Sequence, residues 1–461
     1  MRSLAPDPKH PLEEPPVTVE SIAALRDAFL RRIDAHEVYI GIIGQGYVGL
    51  PLALTFVDRG FRVLGLDVDA EKVAALNRGE CYIRHVDGAR VKRARETKRF
   101  EATADFTRLH EPDAILICVP TPLTAQKEPD LTYVRQTAEA IRPHLRRGQL
   151  IVLESTTYPG TTDEVVRGIL EEGGLTAGVD FFLAFSPERE DPGNKSHSTS
   201  TIPKVVGGID VVSGDVAQRL YDAVVAKTVR VSSARAAEAT KLTENIFRAV
   251  NIALVNELKI VYDRMGIDIW EVLDAASTKP FGFMRFNPGP GWGGHCIPLD
   301  PFYLAWKARE YGVSTKFIEL AGEVNVRMPE YVVGKLQEAL NNCGRAVKGA
   351  KVLVLGLAYK KDIDDPRESP AFEVIHELLK LGADVSYHDP YVPVAPRMRS
   401  WPTLPAMTSR PLTPEVLRSA DVALLITDHS IVDYDLVLKN AALIVDTRGI
   451  YRVPAPHVVK A

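Results

Sequence analysis

The stretch Val38-Tyr-Ile-Gly-Ile-Ile-Gly-Gln-Gly-Tyr-Val-Gly49 decides the fold that we predict for this chain. Its first half is a near-continuous apolar run, as expected of a parallel strand that is buried on both faces. Its second half is a GxGxxG motif that opens a helix from Leu50 to about Arg59. In this strand–turn–helix context the motif predicts a dinucleotide site, with the pyrophosphate at the helix N-terminus. The predicted contacts in this loop are Gly44, Gln45, Gly46, Tyr47, Val48 and Gly49.

The second predicted strand ends at Asp67, 18 residues after Gly49. A carboxylate at this position accepts hydrogen bonds from ribose hydroxyls and repels a 2′-phosphate, which favours NAD over NADP. Lys72, one turn into the next helix, is predicted to offset part of the ligand's charge. Two later strand ends carry Thr121 and Thr156 towards the same edge of the sheet. Both are candidate cofactor contacts, although each could equally be an ordinary turn hydroxyl.

Strands and helices alternate along most of the chain, which is typical of doubly wound parallel sheets. The helix from about Ala234 to Met265 is long enough to link domains and form an oligomer seam, and another helix spans Phe317 to about Arg327. A helix from Val17 to about Ala35 precedes the first strand. We therefore predict an α/β fold of two Rossmann-like parallel-sheet domains joined by a long central helix. The expected parts are an N-terminal extension (1–36), an NAD-binding domain (37–212), a central helical domain (213–328) and a C-terminal α/β domain (329–461).

Composition narrows the class of protein. The 461 residues are 46% hydrophobic and 25% charged, with a net charge of −4, which is ordinary for a globular protein and argues against a general nucleic-acid binder. The first residues lack the apolar region of a secretory signal, and no run approaches the ~18 apolar residues that a membrane span needs, so we expect neither feature. The four cysteines fit no zinc pattern, so no metal site is predicted. We expect the enzyme to be cytoplasmic, since cysteines stay reduced in the cytoplasm.

A second glycine-rich stretch, Asn287-Pro-Gly-Pro-Gly-Trp-Gly-Gly-His-Cys-Ile-Pro-Leu-Asp-Pro301, contains Cys296. Pro298 and Pro301 indicate that a helix begins just after the cysteine. The positive end of the helix dipole would favour a thiolate at Cys296. This stretch alone is equally compatible with a buried cysteine in a Gly/Pro turn.

Lys241 and Asn245 are four residues apart on the long helix and so share one face. Together they offer a cation and an amide donor to an oxygen that develops negative charge. Arg248 extends this stripe, but alone it is interpreted as a solvent-facing residue. The opposite face is predicted to be the apolar one, formed by Leu242, Ile246, Val250, Leu254, Leu258 and Val261.

The charged loop Phe185-Ser-Pro-Glu-Arg-Glu-Asp-Pro-Gly193 follows another strand. It carries Glu188 and Arg189 to the edge of the sheet where ligands bind. Four charges between prolines are more than a simple turn requires.

Six motifs resemble those of the nucleotide-sugar 6-dehydrogenases, in order and from about residue 38 to 450. They are Gly41-Ile-Ile-Gly-Gln-Gly-Tyr-Val-Gly-Leu-Pro-Leu52, Ser186-Pro-Glu-Arg189, Lys241-Leu-Thr-Glu-Asn245, Gly291-Trp-Gly-Gly-His-Cys-Ile-Pro298, Tyr359-Lys-Lys-Asp362 and Arg367-Glu-Ser369.

The resemblance implies oxidation of a sugar C6 alcohol to a carboxylate with two NAD. Cys296 would hold the intermediate aldehyde as a thiohemiacetal and then a thioester, and Lys241 and Asn245 would stabilise the oxyanions. Asp300 and Glu188 would move protons or orient water, and the residue that activates the hydrolytic water stays open between them.

The resemblance also implies a site between the two α/β domains, with the UDP part on the C-terminal one. Lys360 and Arg448 would contact the substrate, as would Glu188, Arg189, Lys241, Asn245, Gly291 and Gly293. Arg367 would reach the cofactor. A homodimer or larger homo-oligomer is expected.

Two departures from the family pattern bear on the substrate. UDP-glucose enzymes carry Phe-Leu where this chain has Arg189-Glu190, which favours a 2-acetamido sugar, with UDP-GlcNAc first and UDP-GalNAc, UDP-ManNAc or UDP-glucose as alternatives. In the UDP-glucose enzymes an arginine of the neighbouring subunit reaches the site from a position that in this chain is close to Pro280. Arg285 or Arg248 could take the role of that arginine. A two-electron β-hydroxyacid dehydrogenase and a silent nucleotide-binding protein rank lower, because the cysteine loop and the residues around it are intact.

Overall fold

The structure is a computed structural model and describes residues 21–83, 86–124, 126–189, 201–294, 297–398 and 400–461. In these residues the chain forms two sheets, with long helices between them. None of the helices in the described ranges combines the length and apolar character that a membrane crossing requires.

The first sheet has eight strands in the order β3-β2-β1-β4-β5-β6-β7-β8. All neighbours are parallel except β6 and β7. The strands are β1 (Tyr39–Ile43), β2 (Arg62–Leu66), β3 (Phe100–Thr103), β4 (Ala114–Ile117), β5 (Leu150–Leu153), β6 (Phe182–Phe185), β7 (Lys204–Gly208) and β8 (Thr228–Arg230). The predicted Rossmann-like sheet is confirmed, and it continues to Arg230, past the predicted domain end at 212.

Helices cover both faces of this sheet. They are α1 (Ile22–Asp34), α2 (Gly49–Asp58), α3 (Ala70–Asn77), α4 (Gly88–Glu96), α5 (Thr132–Ile141), α6 (Arg167–Glu171) and α7 (Val211–Asp222). The predicted N-terminal helix begins at Ile22 because the Ser21 side chain caps it by accepting from the N–H of Ala24. Phe29 and Ile33 bury the inner face of α1 in the core of this domain.

The central region is helical: α8 (Ala234–Arg264), α9 (Ile269–Ala276), α10 (Asp300–Glu310) and α11 (Lys316–Asn342). The predicted end of α11 near Arg327 is wrong, since the helix continues through Pro329. A proline removes one helical hydrogen bond, but the buried side chains of Met328, Val332 and Leu336 hold the helix against its neighbours. The predicted domain boundary at 328/329 therefore lies within one helix.

The second sheet is parallel, in the order β10-β9-β11-β12-β13. Its strands are β9 (Lys351–Leu355), β10 (Asp384–His388), β11 (Val422–Leu425), β12 (Ile444–Asp446) and β13 (Val458–Lys460). The helices of this domain are α12 (Pro370–Lys380), α13 (Pro414–Ser419) and α14 (Tyr434–Asn440). The four strands predicted here are confirmed, and β13 adds an edge that the sequence did not indicate.

Candidate active site

The loop between β1 and α2 is packed so tightly that two of its positions require glycine. Gly44 has φ +92°, and a Cβ there would lie 2.5 Å from the carbonyl oxygen of Cys118. A Cβ at Gly49 would overlap the carbonyl oxygen of Gly44. By contrast, no heavy atom of the described chain lies within 4 Å of a Cβ built on Gly46. The loop is therefore closed beneath Gly44 and Gly49 and open at Gly46, which suits the approach of a dinucleotide.

Asp67 is buried at the end of β2, and the cofactor loop is fixed to it. Its carboxylate accepts the N–H of Gln45 at 2.8 Å and that of Asp69 at 2.9 Å. The Gln45 side chain turns inward and donates to the Ile42 carbonyl at 2.8 Å, and its backbone carbonyl accepts the Tyr82 hydroxyl, so Gln45 fixes the loop from within. Lys72 lies 3.8 Å from the Asp69 carboxylate, at the surface.

Tyr47 brings the C-terminal half of the chain to the same loop. The Arg367 guanidinium carbon lies 4.2 Å from the centre of the Tyr47 ring. Asp365 holds that guanidinium with two bonds, of 2.8 and 2.5 Å. At Val48 no side chain of the described residues caps α2. The Leu50 N–H donates to the Gly46 carbonyl at 3.2 Å, so α2 offers an anion chiefly the positive end of its dipole. Arg367 thus lies against the dinucleotide loop, where the resemblance predicts it.

Thr121 and Thr156 follow β4 and β5 and are half-buried. The Thr121 carbonyl accepts the hydroxyl of Tyr303, on α10, at 2.6 Å. The loop after β4 is therefore tied to the helix that begins at Asp300.

The buried residues of α8 include polar as well as apolar side chains. Lys241 and Asn245 are 7% and 1% exposed, and Lys241 Nζ donates to the Glu188 carbonyl at 2.6 Å. In the predicted apolar stripe Leu242 is fully buried, whereas Leu254 and Val261 are 52% and 44% exposed. The predicted apolar face is therefore covered only in part by the chain itself.

Arg248 belongs to this network rather than to the solvent. Its guanidinium donates to the Asn245 side-chain carbonyl, and the Asn245 amide in turn donates to the Asp300 carboxylate. The interpretation of Arg248 as a solvent-facing residue is therefore wrong. Its spacing from Asn245, at i and i+3, was the available indication.

Asp300 is 3% exposed at the first turn of α10. Burial raises the pKa of its carboxyl to about 6, against the opposing effects of Lys241, the Asn245 hydrogen bond and Arg248. A carboxyl group with such a pKa exchanges a proton near neutral pH, as an acid–base residue must.

Glu188 and Arg189 lie just beyond β6. The Glu188 carboxylate accepts the N–H of Arg189 at 2.7 Å, and Lys204 Nζ lies 3.8 Å away. The Arg189 guanidinium donates to Glu244 on α8 at 2.6 Å and to the Pro203 carbonyl at 2.5 Å. Sequence analysis missed Lys204, since a single lysine at the start of an apolar strand gives no functional indication.

The glycines before Cys296 pack between α11 and the C-terminal domain. Gly291 has φ +128°, and a Cβ there would lie 3.3 Å from the Asn325 carbonyl. A Cβ on Gly293 would lie 2.9 Å from Tyr359 Cβ. Cys296 itself, like Glu190, lies outside the described residues.

Arg448 borders the same loop from the C-terminal domain. Its Nε donates to the Ile426 carbonyl at 2.6 Å, and a Cβ on Gly289 would lie 2.6 Å from its Nη1. Burial lowers the pKa of Arg448. Lys360 is half-buried beyond β9. Arg285, considered in place of the cross-subunit arginine, pairs with Asp274 of its own chain at 2.5 Å.

Three models of the UDP-glucose/GDP-mannose dehydrogenase family match the chain: the NAD-binding domain over residues 38–225, the central domain over 235–327 and the UDP-binding domain over 353–453. The chain is 38% identical to a UDP-N-acetyl-D-glucosamine 6-dehydrogenase of Pseudomonas aeruginosa, over 81% of this chain and 87% of the relative. It is 35% identical to an NDP-N-acetyl-D-galactosaminuronic acid dehydrogenase of Ralstonia solanacearum, over 91% and 98%. A solved UDP-D-ManNAc dehydrogenase from Pyrococcus horikoshii superposes with a TM-score of 0.82 and 32% identity, over 92% of this chain and 98% of that one.

The fold and the site define an NAD-binding oxidoreductase that acts on nucleotide sugars. The chain belongs to the UDP-glucose/GDP-mannose dehydrogenase family, and it is a UDP-sugar dehydrogenase.

Proposed function

We propose that this enzyme oxidises the C6 alcohol of UDP-N-acetylglucosamine to the carboxylate in a four-electron reaction, to supply a precursor of surface polysaccharide. The observation that carries this proposal is the buried network on α8. Lys241, Asn245 and Asp300 converge where the cysteine loop meets the dinucleotide-binding domain. The similarity to the Pseudomonas aeruginosa enzyme supports the choice of sugar.

The cofactor would rest on the open side of the Gly46 loop, with its ribose at Asp67. NAD accepts one hydride in each of the two oxidations. The protein does not have to accept either hydride, so its task is to keep the C6 carbon bound between the first and the second oxidation.

Cys296 would hold that carbon. Its thiolate adds to the C6 aldehyde to form a thiohemiacetal, whose oxidation gives a thioester that water cleaves to the carboxylate and the free thiol. Lys241 and Asn245 already direct their N–H donors to oxygen atoms, of Glu188 and Asp300. They would stabilise the oxyanion of each tetrahedral species.

Protons would move through Asp300 and Glu188. A carboxyl with a pKa of about 6 takes the alcohol or thiol proton and returns it on each turnover. Glu188, held beside Lys204, is the second candidate and could orient the hydrolytic water.

Selectivity would come from the region around Arg189. The ion pair with Glu244 fixes this guanidinium beside the catalytic helix and leaves N–H donors for a sugar acetamido group. UDP-ManNAc and UDP-GalNAc remain alternatives, because relatives of similar identity are named UDP-N-acetyl-D-mannosamine dehydrogenase and NDP-N-acetyl-D-galactosaminuronic acid dehydrogenase. On the nucleotide side, Lys360 and Arg448 would hold the UDP part, with the glycine loop between them.

We also propose that the enzyme is a homodimer or a larger homo-oligomer. An exposed apolar row on α8 supports this, since Phe247, Leu254 and Val261 are spaced seven residues apart and are 44–52% exposed. Such a stripe is suited to packing against the same helix of a second copy.

The test is the amount of NADH formed from a limiting quantity of UDP-GlcNAc. We expect two NADH per sugar, a carboxylate product, and loss of turnover in Cys296→Ala but not in Cys343→Ala, which changes an exposed cysteine. One NADH per sugar with an aldehyde product would contradict four-electron chemistry. Initial rates with the UDP forms of GlcNAc, GalNAc, ManNAc and glucose test the sugar, and a clear preference for UDP-glucose would contradict the interpretation of Arg189.

A further inference from the structure

Beneath Glu188 lies a buried cluster of charges that the proposed chemistry does not use. Lys204, the first residue of β7, is 4% exposed. Its Nζ lies 2.7 Å from the carboxylate of Glu154 and 3.8 Å from that of Glu188. The Glu154 side chain is fully buried. One ammonium group thus serves two carboxylates, and only one of them is a candidate for chemistry.

The position of Lys204 is fixed by its surroundings. Its Nζ also donates to the Pro187 carbonyl at 3.3 Å and lies 5.0 Å above the ring of Tyr221. The Tyr221 hydroxyl donates to Glu154. Because the antiparallel pairing of β6 and β7 sets the lysine beside the turn that carries Glu188, the ammonium group cannot swing away to another partner.

The charges do not cancel within the cluster. Burial acts to lower the pKa of Lys204, but Glu154 and Glu188 outweigh it and leave that pKa raised, so the lysine is a cation. Glu154 is matched by Lys204 and by the Tyr221 hydroxyl. Glu188 lies at the outer edge of the cluster, where its own backbone carbonyl accepts the Lys241 ammonium.

We propose that Lys204 is a positioning residue, which holds the Glu188 carboxylate in place at the edge of the active site, while Glu154 and Tyr221 hold Lys204. The inference rests on the proposed function, since it matters only if Glu188 takes part in the reaction. The simpler explanation, that Lys204 and Glu154 only stabilise the fold, makes a different prediction.

Removing Lys204 alone would leave Glu154 buried without a cation and endanger folding. The decisive variant is therefore Lys204→Met combined with Glu154→Gln, which removes the buried pair as a unit and with it the contact between Lys204 and Glu188. Glu154→Gln alone is the matched control, because it keeps Lys204 beside Glu188. Lys204→Arg tests whether a positive charge suffices.

The measurement is kcat and KM for UDP-GlcNAc at one pH, together with KM for NAD and the thermal unfolding midpoint. In the double variant we expect kcat to fall about tenfold or more while KM for NAD is unchanged, because Glu188 loses a contact that holds it at the edge of the site. Glu154→Gln and Lys204→Arg should keep kcat within about twofold of the unmodified enzyme.

A double variant with lower thermal stability but the kcat of the unmodified enzyme would overturn the proposal and leave Lys204 a purely structural residue. An equal loss of kcat in Glu154→Gln would also overturn it. Failure of the proposed function is distinguishable, because the unmodified enzyme would then not form two NADH per sugar.

Discussion

At the scale of single residues, the buried carboxyl of Asp300 is suited to acid–base chemistry but lowers the stability of the folded protein when it is ionised. Its carboxyl has a pKa of about 6 in the folded protein, above the ordinary aspartate value of 3.8, chiefly because it is buried. The folded protein therefore binds this proton more tightly than the unfolded chain does. The contribution of Asp300 to stability is fully present below its unfolded pKa and is lost as the pH rises through about 6.

Asp300→Asn, which stays neutral, should thus be more stable than the unmodified enzyme at pH 8, by on the order of 2–3 kcal/mol, while losing most of its activity. The difference should shrink towards pH 4. Urea unfolding followed at several pH values measures it.

Asp389 provides a control of opposite sign. Burial acts to raise the pKa of Asp389, but His429 and the N–H groups of Ala358 and Leu357 outweigh it and hold that pKa at about 2. Its contribution is present above the unfolded pKa and is lost as the pH falls through about 2, so Asp389→Asn should destabilise at pH 8. If both variants lost stability at pH 8, the cost of burying the Asp300 charge would not be the dominant effect.

At the scale of elements, the sequence predicted α8 almost to its ends, but not which of its side chains are buried. A 3.6-residue period identifies the helix, yet it does not say which face meets the protein's own core. Lys241 and Asn245 of α8 can be buried because they donate hydrogen bonds, Lys241 to the Glu188 carbonyl and Asn245 to the Asp300 carboxylate of α10. Short edge strands such as β8 and β13, three residues each, lack the length to give a clear pattern.

A substitution at Leu254 tests whether a second copy of the chain covers the exposed apolar row of α8. This leucine is 52% exposed, so Leu254→Lys should leave the fold of one chain intact but place a charge in the proposed seam between copies. We expect sedimentation velocity to show dissociation, or at least a tenfold weaker association, from about 1.4 kcal/mol lost per interface. Val68→Lys, at an 85% exposed position next to Asp67, is the control and should sediment like the unmodified protein. An unchanged sedimentation coefficient for Leu254→Lys would exclude this stripe from any interface.

At the scale of the whole molecule, the site is assembled from parts far apart in sequence. The motifs allowed NAD binding and the identity of most candidate residues to be predicted, because each glycine or charge has a local chemical reason. They could not predict Lys204 or Arg248, whose roles arise only when β7 lies beside β6 and α8 beside α10. The two α/β halves meet through Arg367 on Tyr47 and through the glycine loop on Tyr359.

A substitution at Gly293 tests whether the contact between the glycine loop and Tyr359 forms part of the nucleotide-sugar site. A Cβ there would lie 2.9 Å from Tyr359 Cβ and 3.0 Å from the Glu368 carbonyl oxygen, so Gly293→Ala must push the C-terminal domain away from the loop, at a cost of about 1–3 kcal/mol. The NAD loop lies on the other domain, so KM for UDP-GlcNAc should rise about tenfold or more while Kd for NAD changes by less than about twofold. Gly334→Ala is the matched control: nothing in the described chain lies within 4 Å of its Cβ on α11, and it should stabilise the helix by about 0.5–1 kcal/mol without affecting either ligand. Equal losses of sugar and NAD binding in Gly293→Ala would contradict this, and would mean that the displaced domain also carries Arg367 away from Tyr47 and the dinucleotide loop.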